Sequence, residues 1–161
     1  MTSDQALAQE FEKLKDLLIK KYDEKGMRAS GAWAKELEAR SVGLSASIWG
    51  LPYSEQLENG RGPTSSGAKS GTITLRQAIE QWIEDKGIRP EGKMTVSSLA
   101  FLIARKIHRQ GWDRKNYGGV DLISEVITPE YIQGVLDLVT YFKINEFSTE
   151  ITNLFKQAAA A

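Results

Sequence analysis

Apolar residues recur at Leu7, Phe11, Leu14, Leu18 and Tyr22, at spacings of four, three, four and four, and this predicts an amphipathic helix over residues 2 to about 25. Thr2 and Gln5 fit a capping box at its start, and Gly26 fits a left-handed stop. Such a stripe suits packing on the chain's own domain or on a partner helix in an oligomer. Past Gly31 the period falls to two, as Val42, Leu44, Ala46 and Ile48 alternate with Gly43, Ser45, Ser47 and Trp49. The alternation predicts a strand over 44–50, paired with a first strand at about 33–40 through a tight turn near 41–43. Pro52 opens a short helical turn over 53–58, closed by Asn59-Gly60. Residues 60–71 (GRGPTSSGAKSG) hold four glycines and no large apolar side chain, which predicts an exposed loop.

The second half reads as helical. Thr74 with Gln77 makes another capping box, Leu75, Ile79, Trp82 and Ile83 form a face, and Gly87 fits a C-cap. Thr95 starts a helix that runs through Leu99, Leu102, Ile103 and Ile107 to Gly111, followed by a polar and aromatic connection over 112–119. Residues 120–126 read as a short helix. Thr128-Pro129 opens a final helix carrying Ile132, Val135, Leu136, Val139 and Phe142, and a second segment after Asn145 carries Phe147, Ile151, Leu154 and Phe155. The predicted fold is α+β: a long N-terminal helix on a small antiparallel β-sheet, followed by several helices. A single domain over 1–161 is expected, divided into the N-terminal helix (1–26), the hairpin and turn (31–60), the exposed loop (61–73) and the helical region (74–157). Its expected core is Leu14, Leu18, Leu44, Ile48, Ile79, Trp82, Ile83, Leu102, Ile103 and Ile107.

Composition narrows the chemistry. The 161 residues are 41% hydrophobic and 26% charged, an ordinary globular balance for one domain. Twenty-one basic residues against 21 acidic ones argue against tight, sequence-independent nucleic-acid binding, which draws on surplus Lys and Arg. With no cysteine, disulfides, thiol nucleophiles and thiolate metal sites are excluded, and a single histidine, His108, means that a metal site would be built mainly from oxygen ligands. The polar N-terminus lacks the apolar core of a signal peptide, no stretch approaches a membrane helix, and synthesis in a soluble compartment is expected.

Three motifs invite a catalytic reading and fail it. Residues 62–70 resemble a phosphate-binding loop, but Ala68 precedes Lys69 where the motif needs glycine, and no buried strand feeds the loop. His108 lies near the end of a predicted helix, where a polar or cationic side chain suits the dipole. Glu80, Glu84 and Asp85 share the polar face of the Trp82 helix and read as solvated. A cluster of Arg105, Lys106, Arg109, Arg114 and Lys115, interrupted by Asp113 and with Trp112 and Tyr117 among them, reads either as a solvated helix end or as a binding surface, since basic and aromatic residues together hold single-stranded nucleic acid or rim a protein interface.

The middle of the chain resembles the neck and tail-completion (head–tail connector) proteins of tailed bacteriophages. The residues that carry the resemblance are Gly31, the alternating strand to Ile48, the run Gly50-Leu51-Pro52-Tyr53-Ser54, then Leu57-Glu58, Gly60-Arg61-Gly62-Pro63, Ile79, Trp82-Ile83, Lys86-Gly87-Ile88, and Leu99-Ala100-Phe101 with Ile103-Ala104-Arg105, Ile107 and Gly111. The match covers roughly residues 30 to 127, and the segment after Thr128 is longer than the family pattern. The resemblance implies a structural virion protein and no enzyme, with no cofactor and no small-molecule substrate. Its expected partners are copies of itself in a ring, portal or adaptor and tail proteins, and transiently passing DNA. Protein-interface contacts are expected from Tyr53, Glu58, Arg61, Gly62, Pro63 and Lys69, and DNA or protein contacts from Arg105, Arg109, Trp112, Arg114 and Lys115. The alternative expectation is a small nucleic-acid-binding module using the cluster at 105–115.

Overall fold

A computed structural model describes residues 1–69, 71–112 and 121–160. In chain order the elements are α1 (Ser3–Glu24), α2 (Ala32–Glu36), β1 (Glu38–Val42), β2 (Ser45–Trp49), α3 (Ser54–Asn59), α4 (Leu75–Asp85), α5 (Val96–Gln110) and α6 (Pro129–Ala159). The fold is α+β, with a long N-terminal helix, one two-stranded antiparallel sheet and several further helices. Contacts divide the chain into two compact units, each assembled from separate stretches.

Unit 1 holds Met1–Lys21, Glu36–Leu51 and Ile123–Ala161. Within it the predicted stripe of α1 is buried at Leu7, Leu14 and Leu18, joined by Ala6, and the Thr2–Gln5 capping box is formed in both directions. Ser3 is buried as well. Its backbone N–H donates to Glu146 Oε1 at 2.5 Å and its hydroxyl to Glu146 Oε2 at 3.0 Å, so a carboxylate on α6 receives an N–H that the first turn of α1 cannot satisfy by itself. Those donors, and Lys143 at 3.2 Å, hold the Glu146 carboxyl below the usual glutamate range. Further along, the Tyr131 hydroxyl donates to the Glu10 carbonyl at 3.2 Å, so α1 and α6 run antiparallel. The hairpin pairs Glu38 with Trp49 through to Val42 with Ser45, turning on Gly43 and Leu44, with Gly43 at φ 57°. Ala8 and Phe11 of α1 and Ala39 of β1 line an open cleft of about 360 Å³.

Unit 2 holds Tyr22–Lys35 and Pro52–Leu122. The Trp33 ring lies 4.6 Å from that of Tyr22, and its indole N–H donates to Ser54 Oγ at 3.0 Å, which satisfies the one polar atom of a buried aromatic. Arg28 grips Asp23 with two bonds of 2.6 and 2.9 Å around the Gly26 turn. Helices α4 and α5 pack on each other, each started by the predicted threonine, Thr74 and Thr95. The buried residues of that pair are Ile83 on α4 and Ala100 and Ala104 on α5, two small side chains one turn apart that let the helices approach closely. Across the same pair the Ser97 hydroxyl donates to Glu80 Oε1 at 2.6 Å.

Three expectations are corrected, and the continuation of the final helix past Asn145, which the sequence leaves open, is decided. The first strand begins at Glu38 rather than at residue 33; Trp33 belongs to the helical turn α2, where tertiary burial of its ring overrides a short alternating pattern. The described part of the segment at 120–126 forms turns instead of a helix, with Leu122 fully buried in them. The two segments after Thr128 are one unbroken helix: the Thr149 and Thr152 hydroxyls donate to the carbonyls four residues back, at 2.8 Å each, so these polar residues stay within the helix. In the expected core, Leu14, Leu18 and Ile83 are buried, whereas Leu44, Trp82 and Leu102 are exposed and Ile48, Ile79, Ile103 and Ile107 are half-buried. Leu44 sits in the turn itself, Trp82 lies at the margin of its helix stripe, and Leu102 lies two residues from both Ala100 and Ala104, on the side of α5 opposite to them. Ala6, Leu7, Tyr22, Met27, Trp33, Leu37, Ala100, Ala104 and Leu122 complete the buried set.

Candidate protein interface

The exposed loop and the end of α5 are joined by backbone. Arg61 N–H donates to the Trp112 carbonyl at 2.6 Å and Trp112 N–H returns to the Arg61 carbonyl at 2.5 Å, an isolated antiparallel bridge. Three residues on, Thr64 N–H donates to the His108 carbonyl at 3.0 Å, one of the carbonyls that the last turn of α5 leaves without an intrahelical partner. The Arg61 guanidinium bonds Thr64 Oγ1 at 3.1 Å and braces the same turn. Gly111 makes the junction possible. It takes φ 75°, and a Cβ there would stand 2.8 Å from the Gly62 carbonyl carbon. Only glycine meets both demands, the left-handed φ and the close approach of a second backbone.

The bridge unites residues that the sequence places in separate groups. Arg61, Gly62 and Pro63 from the interface set lie at the bridged start of the loop, and Trp112 from the basic cluster is half-buried in the bridge itself. Arg105 and Arg109 are exposed one turn apart on α5, alongside exposed Phe101, Leu102 and His108. Tyr53 stands immediately before α3, and partial burial pushes its phenol above the usual tyrosine value. Glu58 lies within α3, and Lys69 is exposed toward the far end of the loop. Arg114 and Lys115 lie outside the described residues.

Basic residues predominate in two stretches here, although the Glu80 carboxylate of α4 accepts from Ser97 of α5 at 2.6 Å and Asp113 follows Trp112 directly in the sequence. Residues 60–79 carry Arg61, Lys69 and Arg76 with no carboxylate, and residues 92–112 carry Lys93, Arg105, Lys106 and Arg109 with none. No ion pair engages Arg61, Lys69, Arg105 or Arg109 among the described residues. Cations not paired with a carboxylate, on a surface that also exposes Phe101 and Leu102, can bind an anionic or acidic-and-apolar partner. Among the described residues no group of three or more histidine or carboxylate side chains could hold a metal ion, and no helix is long and apolar enough to cross a membrane.

Sequence reasoning missed the bridge, because Gly111 has an ordinary explanation as a helix stop and nothing in its spelling announces a second strand of backbone against it. It also missed a surface on α6. Every residue over 147–160 is exposed, and Ile144, Phe147, Ile151 and Leu154 recur there at spacings of three, four and three. The opposite side of the same turns carries Asn145, Thr149, Thr152, Asn153 and Lys156. That 3-4-3 spacing is the available signal. No family model, curated protein or solved structure matches this chain.

Proposed function

We propose that this chain is a structural subunit of a tailed-phage virion, assembling with copies of itself as a ring at the head–tail junction that joins portal to tail or completes the tail. The sequence resemblance over residues 30 to 127 suggests the role. The observation that supports it best is the quantity of large apolar surface left in solvent, from Val42 and Trp49 on the hairpin to Phe147, Leu154 and Phe155 on α6, since surfaces of this kind mark protein interaction sites. A ring subunit needs two different patches, one for each neighbour. In this reading the protein works in the virion neck or tail, without a cofactor and without catalysis. Quantitative mass spectrometry of purified particles tests it: a fixed ratio of this chain to the portal protein is expected, and absence from particles overturns the reading.

The run of basic residues on α5 favours a second reading, a nucleic-acid-binding module that uses Arg105, Lys106, Arg109 and Trp112. Its signature is strong binding of the purified chain to DNA that weakens steeply with salt. A subunit lining a DNA passage holds DNA weakly, because DNA must slide.

A further inference from the structure

We infer that the free chain forms an antiparallel two-fold dimer through the last turns of α6, the apolar line from Ile144 to Leu154 in one copy lying on the same line of a second copy. The contact uses one patch twice and closes at two copies, so it is separate from the ring contacts proposed above, which need two different patches.

Helix α6 has two apolar sides. Its first half turns Val135, Leu138, Val139 and Phe142 inward, half-buried, and on the same side Tyr131 and Glu146 hold the bonds to α1. Past Glu146 that side becomes polar, with Thr149, Asn153 and Lys156. The apolar residues cross to the far side of the helix, where Ile144, Phe147, Ile151 and Leu154 fall in one line. Those four are 59%, 62%, 37% and 61% exposed. The line is therefore no continuation of the surface that α6 buries on α1. Its narrow 3-4-3 spacing is the seam of a helix pair rather than the broad face of a core helix.

A second copy fits because the line matches its own reverse. Laid antiparallel with Thr149 facing Thr149, Ile144 meets Leu154 and Phe147 meets Ile151, each pair twice. On one flank Tyr141 and the second copy's Phe155, 62% and 72% exposed, stand within two residues of the same level and add aromatic surface at the rim. The charged residues are accommodated. Lys143 faces Phe155, Glu146 faces Thr152 and Glu150 faces Ser148, and the two Glu150 carboxylates lie at the rim, where water screens them. Asp137 sets the direction, since it lies in line with Ile144 and Ile151. Parallel pairing places it against Asp137 of the second copy inside the seam, whereas antiparallel pairing carries it past Ala159, where the facing helix has ended. Six large apolar side chains at these exposures bring roughly 600 Å² from each copy, about 1,200 Å² in total, the lower end of the range for specific interfaces.

Cysteine pairing tests this, because the chain has no cysteine of its own. Ile144→Cys and Leu154→Cys are made singly in the full chain, both at positions more than half exposed, and circular dichroism checks that each variant folds. In the antiparallel dimer residue 144 lies beside residue 154 of the second copy, whereas like positions stand about 15 Å apart along the axis, beyond the reach of a disulfide. Mild oxidation of the equimolar mixture is expected to give about tenfold more disulfide dimer than either variant gives alone. Sedimentation velocity of the wild type is expected to pass from monomer to dimer between about 1 and 100 µM, and Phe147→Asp to stay monomeric over that range. Either cysteine variant linking to itself as readily as to the other is the pattern of parallel pairing and overturns the inference. A wild type that stays monomeric at about 100 µM overturns it too, and leaves the line to a different protein. Presence in or absence from particles bears on the ring reading alone.

Discussion

The two units have opposite character. Unit 1 carries seven basic residues against eleven acidic, unit 2 fourteen against ten, so the chain's zero net charge is the sum of an acidic part and a basic part. They differ as much in what they leave uncovered: among the described residues, thirteen large apolar residues are exposed in unit 1 and seven in unit 2. Unit 2 closes on itself through the α4–α5 pair, the Tyr22–Trp33 stack and the Arg61–Trp112 bridge, each a contact with satisfied polar atoms. Unit 1 relies on one side of α1 and on the Ser3–Glu146 and Glu10–Tyr131 bonds, while its hairpin leaves Val42, Leu44 and Trp49 in solvent. A two-stranded hairpin is marginal in isolation, and unit 1 leaves more large apolar side chains in solvent than unit 2 does among the described residues. Net charge over a whole chain thus conceals the property that matters for recognition, which is where each sign lies.

The comparison is most exposed to test at equivalent aliphatic truncations. Ile83→Ala in unit 2 removes a fully buried side chain and is expected to cost about 2–5 kcal/mol in urea denaturation, whereas Leu154→Ala in unit 1 is expected to stay within about 0.5 kcal/mol. A large loss from Leu154→Ala would mean that α6 is an internal support rather than an outward face. Next in size is Gly111→Ala, expected to destabilise by about 1–3 kcal/mol, because a left-handed φ and a blocked Cβ act together. Limited proteolysis within 62–69 should quicken in the same variant, since Arg61 and Thr64 lose their anchor. Unchanged protection of the loop would remove the bridge as its organiser.

A smaller effect sharpens the electrostatic half of the contrast. Replacing Arg105 and Arg109 together by glutamine should lower the salt dependence of any DNA binding by a slope of about two, while leaving the thermal midpoint of the exposed α5 surface nearly unmoved. An unaltered slope would place DNA contact elsewhere. The smallest effect is the pH dependence of the α1–α6 junction. Glu146 titrates below its ordinary value of 4.5 in the folded chain, so its contribution is present above that value and is lost as pH falls through the lowered one. Glu146→Gln should flatten the acid limb of the stability profile in that window. A profile identical to wild type would show that the Ser3 donors do not depend on the charge of the carboxylate.

Much of the fold was legible because local rules were obeyed. Thr2, Thr74, Thr95 and Thr128 start their helices, Gly26, Gly60, Gly87 and Gly111 stand at or just past helix ends in positive φ, and Gly43 turns the hairpin. These are short-range effects, satisfied within a few residues, and a linear string contains all the groups they need. The candidate site was legible only in pieces: Arg61 and Trp112 were each singled out, but the backbone bridge between them closes a loop of some fifty residues, and no local pattern encodes such a closure.

The sequence by itself determined where α1, α4 and α5 begin and end, the hairpin period, the absence of thiol chemistry and the placement of the basic cluster. Tertiary structure decided which sides of those elements face inward. It moved Trp33 from strand to buried helical turn, left Leu102 and Trp82 in solvent, extended α6 unbroken through Asn145, and sorted balanced charge into an acidic and a basic unit. The physical reason is that amphipathicity fixes that a helix has an apolar face, whereas the number of neighbours competing to cover that face is a property of the whole assembly of elements. On α6 the apolar face outlasts the neighbours within its own unit and stays in solvent.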